Sequence, residues 1–510
     1  MTTLSALLSK RAEEHPRKTF IRFEKRKLSY SEIDEKISLT ARGLKKLGLN
    51  TGDRIAILME NCPEYIISYF AILRAGGIVV PINIFLTSSE VSYILKDCGC
   101  RMLIYGKKFS SHAGEIKNDI PDIGILMFPE ISHPHLTKNS PFPPLSKGGE
   151  GGFAEDEGET AVILYTSGTT GFPKGAMLTH KNLLSNAEAC IKVMRLTAED
   201  RILLFLPLFH AFTFTVCVIL PVYAGACIVL LPSVKPFSRV LKSIFKDRIT
   251  LFIAVPAIYN ILARRRLPFF LKYILKYFLK IKTCVSGAAA LPEETLNTFE
   301  KRFNLPLLEG YGLTEASPVV SVNPLQGVRK AGSVGPPLPG IEVITAGDDG
   351  RFLEKGSTGE LAVKGDNVMK GYFNKKEETE AVLKNGWLYT GDIAKIDEDG
   401  YIFIVDRKKD LIIIDGMNVY PREVEDIVLK NQAVEECAMV GIPDGKGSEI
   451  PLLYIKKRDS AVLNEQELRE FLKGKAAQFK MPRRIIFIEE FPKTATGKIK
   501  KAELRKLPSP

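Results

Sequence analysis

The chain has 510 residues, 45% hydrophobic and 25% charged, the balance of a globular protein too long for one core, with about three lobes as the length expectation. Lys plus Arg number 71 against 59 Asp plus Glu, a net charge of +12, which suits anionic small molecules, a membrane surface or nucleic acid. The basic residues are dispersed and no zinc-finger or arginine-rich segment occurs, so no nucleic acid is expected. Eight cysteines without a CxxC, and with Cys98 and Cys100 as the only close pair, read as free thiols of a reducing cytosol.

The opening MTTLSALLSKRAEEHP lacks the apolar core of a signal peptide, so a cytoplasmic location is expected. Strand-like runs at 54–59, 77–81 and 250–255 alternate with helical ones up to about residue 320, which predicts α/β layering. Residues His133 to Gly158 are rich in Pro and Gly and read as a flexible surface loop. Ala161 to Tyr165 is an apolar strand. Thr166, Ser167, Gly168, Thr169, Thr170 and Gly171 then offer four hydroxyls and two glycines, followed by Lys174 and a second strand. Glycines allow close backbone approach, and N–H groups, hydroxyls and an ammonium together form a nest for phosphate. It is not a Walker A loop, because no Gly-Lys-Ser/Thr opens a helix. The bland alternative is a surface hairpin.

Ala211 to Val234 carries no charge, long enough to span a membrane. Pro221 and Gly225 interrupt it, and a buried helix followed by a core strand at 226–231 is the expectation. Within 264–282, Lys272, Lys276 and Lys280 share one helical stripe. That helix either packs on the core with a solvated lysine face or rests on anionic lipid at the inner membrane face. From 331 to 406 short strands and tight turns, such as 347–350 and 397–400, indicate a small β subdomain. Asp397 and Asp399 read as a hairpin turn rather than a calcium loop. The polar run 406–410 is the expected domain boundary. The last hundred residues form an α+β unit that closes on the basic loop 492–498. The six histidines lack metal-ligand spacing and no G-x-S-x-G occurs, which leaves zinc and hydrolase readings without a start.

Several stretches resemble, in order along the chain, the adenylate-forming superfamily of acyl-CoA synthetases, nonribosomal adenylation domains and beetle luciferases. They are Leu73 to Gly77, the hydroxyl loop, Leu206 to His210, Gly310 to Glu315, Gly359 to Val363, Tyr389 to Asp392, Asp406 to Asp410 and Thr496 to Lys498. One departure is Ala290, where the run from Ser286 usually ends in proline. The resemblance implies an α/β fold with a large multi-lobed N-terminal domain over 1–408, made of two α/β lobes and the β subdomain 331–406. A small mobile α+β domain over 409–510 follows.

The resemblance also implies chemistry. A carboxylate attacks the α-phosphate of Mg·ATP, giving acyl-AMP and pyrophosphate, and a thiol then displaces AMP. The hydroxyl loop and Lys174 would cradle the β- and γ-phosphates. Glu315 would coordinate Mg²⁺, with Thr166 as a second oxygen. Gly287, Ala288, Gly310, Tyr311 and Gly312 would line the adenine side, and Thr314 would bond the α-phosphate. Asp392 and Arg407 would hold the ribose. Lys498 would stabilise the charge that builds as the carboxylate attacks. His210 would gate the acyl pocket, Lys409 would be the hinge, and Gly416 would line a channel for the thiol arm.

No carrier domain is expected after Lys498, so CoA is the expected thiol, with a free acyl-carrier protein as the rival acceptor. Lining segments such as 211–220 are apolar and lack an Asp for an amino group, which favours a medium- to long-chain fatty acid and leaves aryl acids open. Two readings from other classes compete. A non-catalytic binder is disfavoured by the joint presence of Lys498, Glu315, Asp392 and Arg407, and a P-loop motor by the missing Gly-Lys-Ser/Thr.

Overall fold

The strands expected at 54–59, 77–81 and 250–255 form in the computed structural model as Arg54–Leu58, Ile78–Pro81 and Leu251–Ala254. The described residues are 3–128, 158–166, 173–264, 279–414, 417–443, 449–459, 461–493 and 498–507. The expected loop at 133–158 (apart from Gly158), the loop residues Ser167 to Gly171, most of 264–282 and Gly416 lie outside them. The chain divides into two compact units. The first comprises Met1–Arg329, Gly335–Glu342 and Val363–Leu388, and the second Lys330–Val334, Val343–Ala362 and Tyr389–Pro510. Residues 408 and 409 fall within the second.

Unit 1 holds two sheets. In chain order its first strands are β1 (Thr19–Phe23), β2 (Arg26–Ser29), β3 (Arg54–Leu58), β4 (Ile78–Pro81), β5 (Met102–Tyr105), β6 (Gly124–Met127), β7 (Thr160–Thr166) and β8 (Lys174–Thr179). There follow β9 (Arg201–Leu204), β10 (Cys227–Leu230), β11 (Leu251–Ala254), β12 (Thr283–Ser286), β13 (Leu307–Gly312) and β14 (Val319–Val322). One sheet runs β14-β13-β12-β11-β9-β10-β1-β2, with the block from β13 to β1 parallel. The other runs β8-β7-β4-β3-β5-β6 and gains a short edge strand beside β8.

The central strands β10, β11 and β12 are buried at every position. Parallel strands covered on both faces read as continuous apolar runs for that reason. Intervening helices start at reciprocal caps, Ser29 with Glu32, Thr87 with Glu90 and Thr179 with Asn182, which satisfy otherwise orphaned N–H groups. The charge-free stretch is a buried helical segment over 211–224 that ends at Gly225, with φ +70°, and leads into β10. Among the described residues no helix is long and apolar enough to cross a membrane.

The β-rich stretch continues with β15 (Ile341–Ala346), β16 (Thr358–Gly365), β17 (Gly371–Tyr372), β18 (Leu383–Lys384), β19 (Trp387–Ile396) and β20 (Ile402–Arg407). In unit 2, β20 folds back on β19 through the turn 397–400, where Gly400 N–H donates to Asp397 O. Lys330 pairs with both Asp397 and Asp399, so these carboxylates brace a hairpin, as the sequence indicates. The turn 347–350 forms likewise, Gly350 N–H donating to Gly347 O.

The remainder of unit 2 is α+β. The hairpin β21 (Ile412–Ile414) and β22 (Met417–Val419) precedes a sheet of β23 (Val434–Pro443), β24 (Glu449–Lys457) and β25 (Arg484–Phe487). Helices Pro421–Val428 and Glu465–Leu472 bury Val424, Val428, Leu468 and Leu472 in one core with Met439, Leu453 and Ile455.

Candidate active site

In unit 1 the β7–β8 hairpin sets the geometry. Thr166 and Lys174 are cross-strand partners at its loop end, so the two residues bracket the intervening loop in sequence. Gly175 follows because a Cβ there would sit 2.6 Å from the Ile163 side chain.

The other half of this cluster comes from β13. Its residues 307–309 pair in parallel with β12, and Gly310 to Gly312 run on to pair antiparallel with β14. A Cβ on Gly312 would lie 1.9 Å from Pro318 O, so only glycine lets the chain turn here. Thr314 to Ala316 then make one 3₁₀ turn that presents Glu315. The turn is held from outside: Met369 N–H donates to Glu315 O (2.8 Å) and Asn367 Nδ2 to Ala316 O (2.9 Å).

Tyr372, which sequence reasoning missed, joins the two halves. It lies on β17, opposite Ala176 of β8. Its hydroxyl donates to Glu315 Oε1 at 2.9 Å, and Lys174 Nζ stands 5.5 Å from its ring centre, within cation–π range. Burial first, then the Glu315 charge, raises the Tyr372 pKa, which keeps the hydroxyl a donor.

Tyr311 and the residues after β9 and β12 lie at the carboxyl ends of parallel strands, where ligands of open α/β sheets bind. His210 precedes the helical turn Ala211–Phe214. A Cβ on Gly287 would come within 2.8 Å of the Phe212 ring, so glycine admits that aromatic. Ala288 takes φ +69°, uncommon for a residue with a side chain. The proline absent at Ala290 is partly compensated, since the next amide, Leu291 N–H, donates to the buried Glu309 carboxylate at 2.8 Å.

In unit 2 the second cluster forms on the β19–β20 hairpin. Asp392 and Arg407 are register partners, with Arg407 Nε 3.3 Å from Asp392 Oδ1. Asp392 is buried while half of the Arg407 side chain is exposed. Thr390 Oγ1 accepts from Asp392 N–H and donates to Leu361 O, and Glu360 receives Gly391 N–H on one oxygen and Lys408 on the other. These contacts fix the bend that carries Asp392.

Lys409 and Lys498 share the electrostatic environment of this pair. Desolvation lowers the Lys498 pKa to about 8, Arg407 and Lys409 push the same way and Asp392 opposes them. Lys498 is exposed, with the Arg407 and Lys409 cations acting against its charged form. Burial, then Arg407, also lowers Lys409. Described residues before and after Lys498 are held by their own partners. Lys493 pairs with Glu436 (2.6 Å), Lys500 N–H donates to Pro492 O (2.8 Å) and Lys501 pairs with Glu425 (2.8 Å).

The donors at Glu315 and Thr166 are oxygens, which suit a hard divalent cation. Among the described residues no group of three or more His, Cys, Asp or Glu could hold a metal. A cation at Glu315 would therefore complete its shell with water and phosphate oxygens, as Mg²⁺ does in nucleotide sites. Glu315 would hold it and Lys174 the phosphates.

The AMP-binding enzyme family matches residues 8–373, and the AMP-binding enzyme C-terminal domain matches 423–498. A long-chain-fatty-acid–CoA ligase of Bacillus subtilis is 38% identical, the match covering 98% of this chain and 94% of that one. A feruloyl-CoA synthase of Amycolatopsis sp. is 33% identical over 98% and 97%. Among solved structures, ATP-bound MatB from Rhodopseudomonas palustris superposes with a TM-score of 0.88 at 30% identity, covering 99% of each chain. An o-succinylbenzoate CoA synthetase from Bacillus subtilis with its acyl-adenylate gives 0.85 at 28%, covering 98% of each. The chain belongs to the AMP-binding enzyme family and is an acid–thiol ligase, an acyl-CoA synthetase.

Proposed function

We propose that this ligase activates a medium- to long-chain fatty acid with ATP and passes the acyl group to CoA, releasing AMP and pyrophosphate. The observation that carries the fatty-acid assignment is the near full-length 38% identity to a long-chain-fatty-acid–CoA ligase. The charge-free lining 211–220 is chemically suited to an alkyl chain. An aryl acid is the second reading, favoured by the 33% identity to a feruloyl-CoA synthase.

In the first step a carboxylate oxygen bonds to the α-phosphorus and the bond to the β-phosphate oxygen breaks. Lys174 and the loop hydroxyls bind the departing pyrophosphate, and Thr314 bonds the α-phosphate. The ring of Tyr311, with Gly287 and Ala288, takes the adenine. Asp392 accepts from the ribose hydroxyls with Arg407 beside it. Lys498 offers its ammonium where negative charge builds between carboxylate and phosphate, a preorganised form of stabilisation. Glu315 and Thr166 would hold Mg²⁺, which when bound would neutralise charge on the phosphates. In the second step the CoA sulfur attacks the acyl carbonyl, the bond to AMP breaks, and the thiol proton leaves to solvent. His210 is proposed to gate the acyl pocket and Gly416 to line the thiol path. Lys409, within the boundary run 406–410, is proposed as the hinge between the N-terminal domain and the small C-terminal domain.

The test is a panel of carboxylic acids with ATP and CoA, scored for AMP release and thioester. Highest kcat/KM on medium- to long-chain alkyl acids is expected on the alkyl reading of that lining. Preference for hydroxycinnamic or benzoic acids would overturn it in favour of the aryl reading. Thioester formed on a carrier protein but not on CoA would overturn the acceptor.

A further inference from the structure

We infer that Tyr372 is a positioning residue that aims the Glu315 carboxylate at the metal and the Lys174 ammonium at the phosphates. The inference rests on the reading of Glu315 as metal ligand and Lys174 as phosphate ligand, and adds to it the group that joins them. The hydroxyl occupies one lone pair of Glu315 Oε1 at 2.9 Å, and the ring face meets Lys174 Nζ at 5.5 Å. A carboxylate bonded on one oxygen has its rotation fixed and its other oxygen left for a cation. Groups behind a metal ligand act in this way and are worth about 10–100-fold in metal affinity. An ammonium over a ring face is drawn to it without surrendering its three donors, so Lys174 is oriented and still able to bond phosphate.

Tyr372 is itself firmly placed. Its N–H donates to Thr379 Oγ1 (2.9 Å), and Thr379 Oγ1 donates to Lys375 O (2.7 Å). On either side Lys370 N–H donates to Met177 O and Phe373 N–H to Gly175 O. The preceding Gly371 has φ +143°, and a Cβ there would meet the Thr379 side chain at 2.8 Å. The strand carrying Tyr372 is thus stitched to the strand that begins at Lys174, while Met369 holds the Glu315 turn. A shift of one half of the cluster is transmitted to the other through this segment.

The two contacts are separable by substitution. Tyr372→Phe removes the hydroxyl and keeps the ring; Tyr372→Leu removes both. The measurements are Mn²⁺ affinity of the enzyme–ATP complex by electron paramagnetic resonance, ATP affinity without divalent metal by calorimetry, and the Mg²⁺ dependence of adenylation. Tyr372→Phe should weaken Mn²⁺ binding about 10–100-fold, the scale for a group behind a metal ligand. Its metal-free ATP affinity should stay close to wild type, and saturating Mg²⁺ should restore most of kcat. Tyr372→Leu should lose metal-free ATP affinity as well. Melting temperatures report whether each variant is folded, and Tyr372→Phe, which keeps the packing, carries the test. Unchanged Mn²⁺ affinity in Tyr372→Phe beside a large loss in Glu315→Gln would overturn the inference and leave the metal reading standing. Unchanged affinity in both variants would overturn the metal reading, and the inference with it.

Discussion

Arg407 Nε stands 3.3 Å from Asp392 Oδ1, and the two residues face each other across the β19–β20 hairpin. The Asp392 side chain is 8% exposed and the Arg407 side chain 51%. A pair so open on one side adds little to stability, and a carboxylate is the acceptor that ribose hydroxyls require. Asp392→Asn should therefore raise the KM for ATP about 10–100-fold, the scale of a hydrogen bond to a charged group, with the melting temperature nearly unchanged. An unaltered KM for ATP would remove Asp392 from the ribose site.

His180 offers a stability test apart from catalysis. It is 5% exposed, its Nδ1 accepts from Leu4 N–H, and burial lowers its pKa from 6.5 to about 4. Between those values the unfolded chain binds a proton that the folded chain refuses, so stability falls as pH drops below about 6.5 and levels off below about 4. The full effect is about 3 kcal/mol. Urea unfolding at pH 7.5 and 4.5 should show a smaller pH penalty in His180→Gln than in wild type, by about 2 kcal/mol. Identical penalties would mean that other groups carry the acid sensitivity.

The sequence exposes the parts of this site that depend on neighbours along the chain. The β7–β8 strands around the hydroxyl loop are visible as two apolar runs, and Gly310 to Gly312 announces a tight turn before Glu315. Relations across the fold are invisible to periodicity. Tyr372 sits on a strand of two residues, too short for alternation to mark, and its partner Glu315 lies 57 positions away. Family likeness supplied Asp392 and Arg407 individually, but their pairing follows from hairpin register. The grouping of Val343–Ala362 with the C-terminal residues arises from nonlocal contacts such as Thr390 with Leu361, which no local pattern encodes.

Lys409 tests the hinge. It sits in the 3₁₀ turn Lys408–Asp410, whose Asp410 is fastened to Arg505 at 2.8 Å. Proline fixes φ near −65° and restricts the residue before it. Lys409→Pro should still form acyl-AMP, measured by pyrophosphate release, and should fail to convert it to thioester. Equal loss in both half-reactions would place the hinge elsewhere or indicate misfolding, which the melting temperature distinguishes.

Lys498 gives the sharpest chemical test, because its pKa of about 8 lies inside the workable pH range. The ammonium is the useful form, so adenylation kcat/KM should be level below about pH 8 and fall about tenfold per unit above it. Bound triphosphate adds negative charge near the lysine and favours the charged form, so the descending limb in kcat should lie at higher pH than the limb in kcat/KM. Lys498→Ala should lose about 10²–10³-fold in adenylation, the usual loss for one preorganised electrostatic group, and its residual rate should lack the descending limb. Lys498→Arg keeps a charge that does not titrate in this range, so its activity, though reduced by the different shape, should also stay level to pH 9. Acyl-AMP supplied with CoA should be converted by all three proteins at similar rates, since the charge that Lys498 stabilises belongs to the first step. A descending limb that persists in Lys498→Ala would assign the titration to another group, and a matching defect in thioester formation would make Lys498 a residue of both steps.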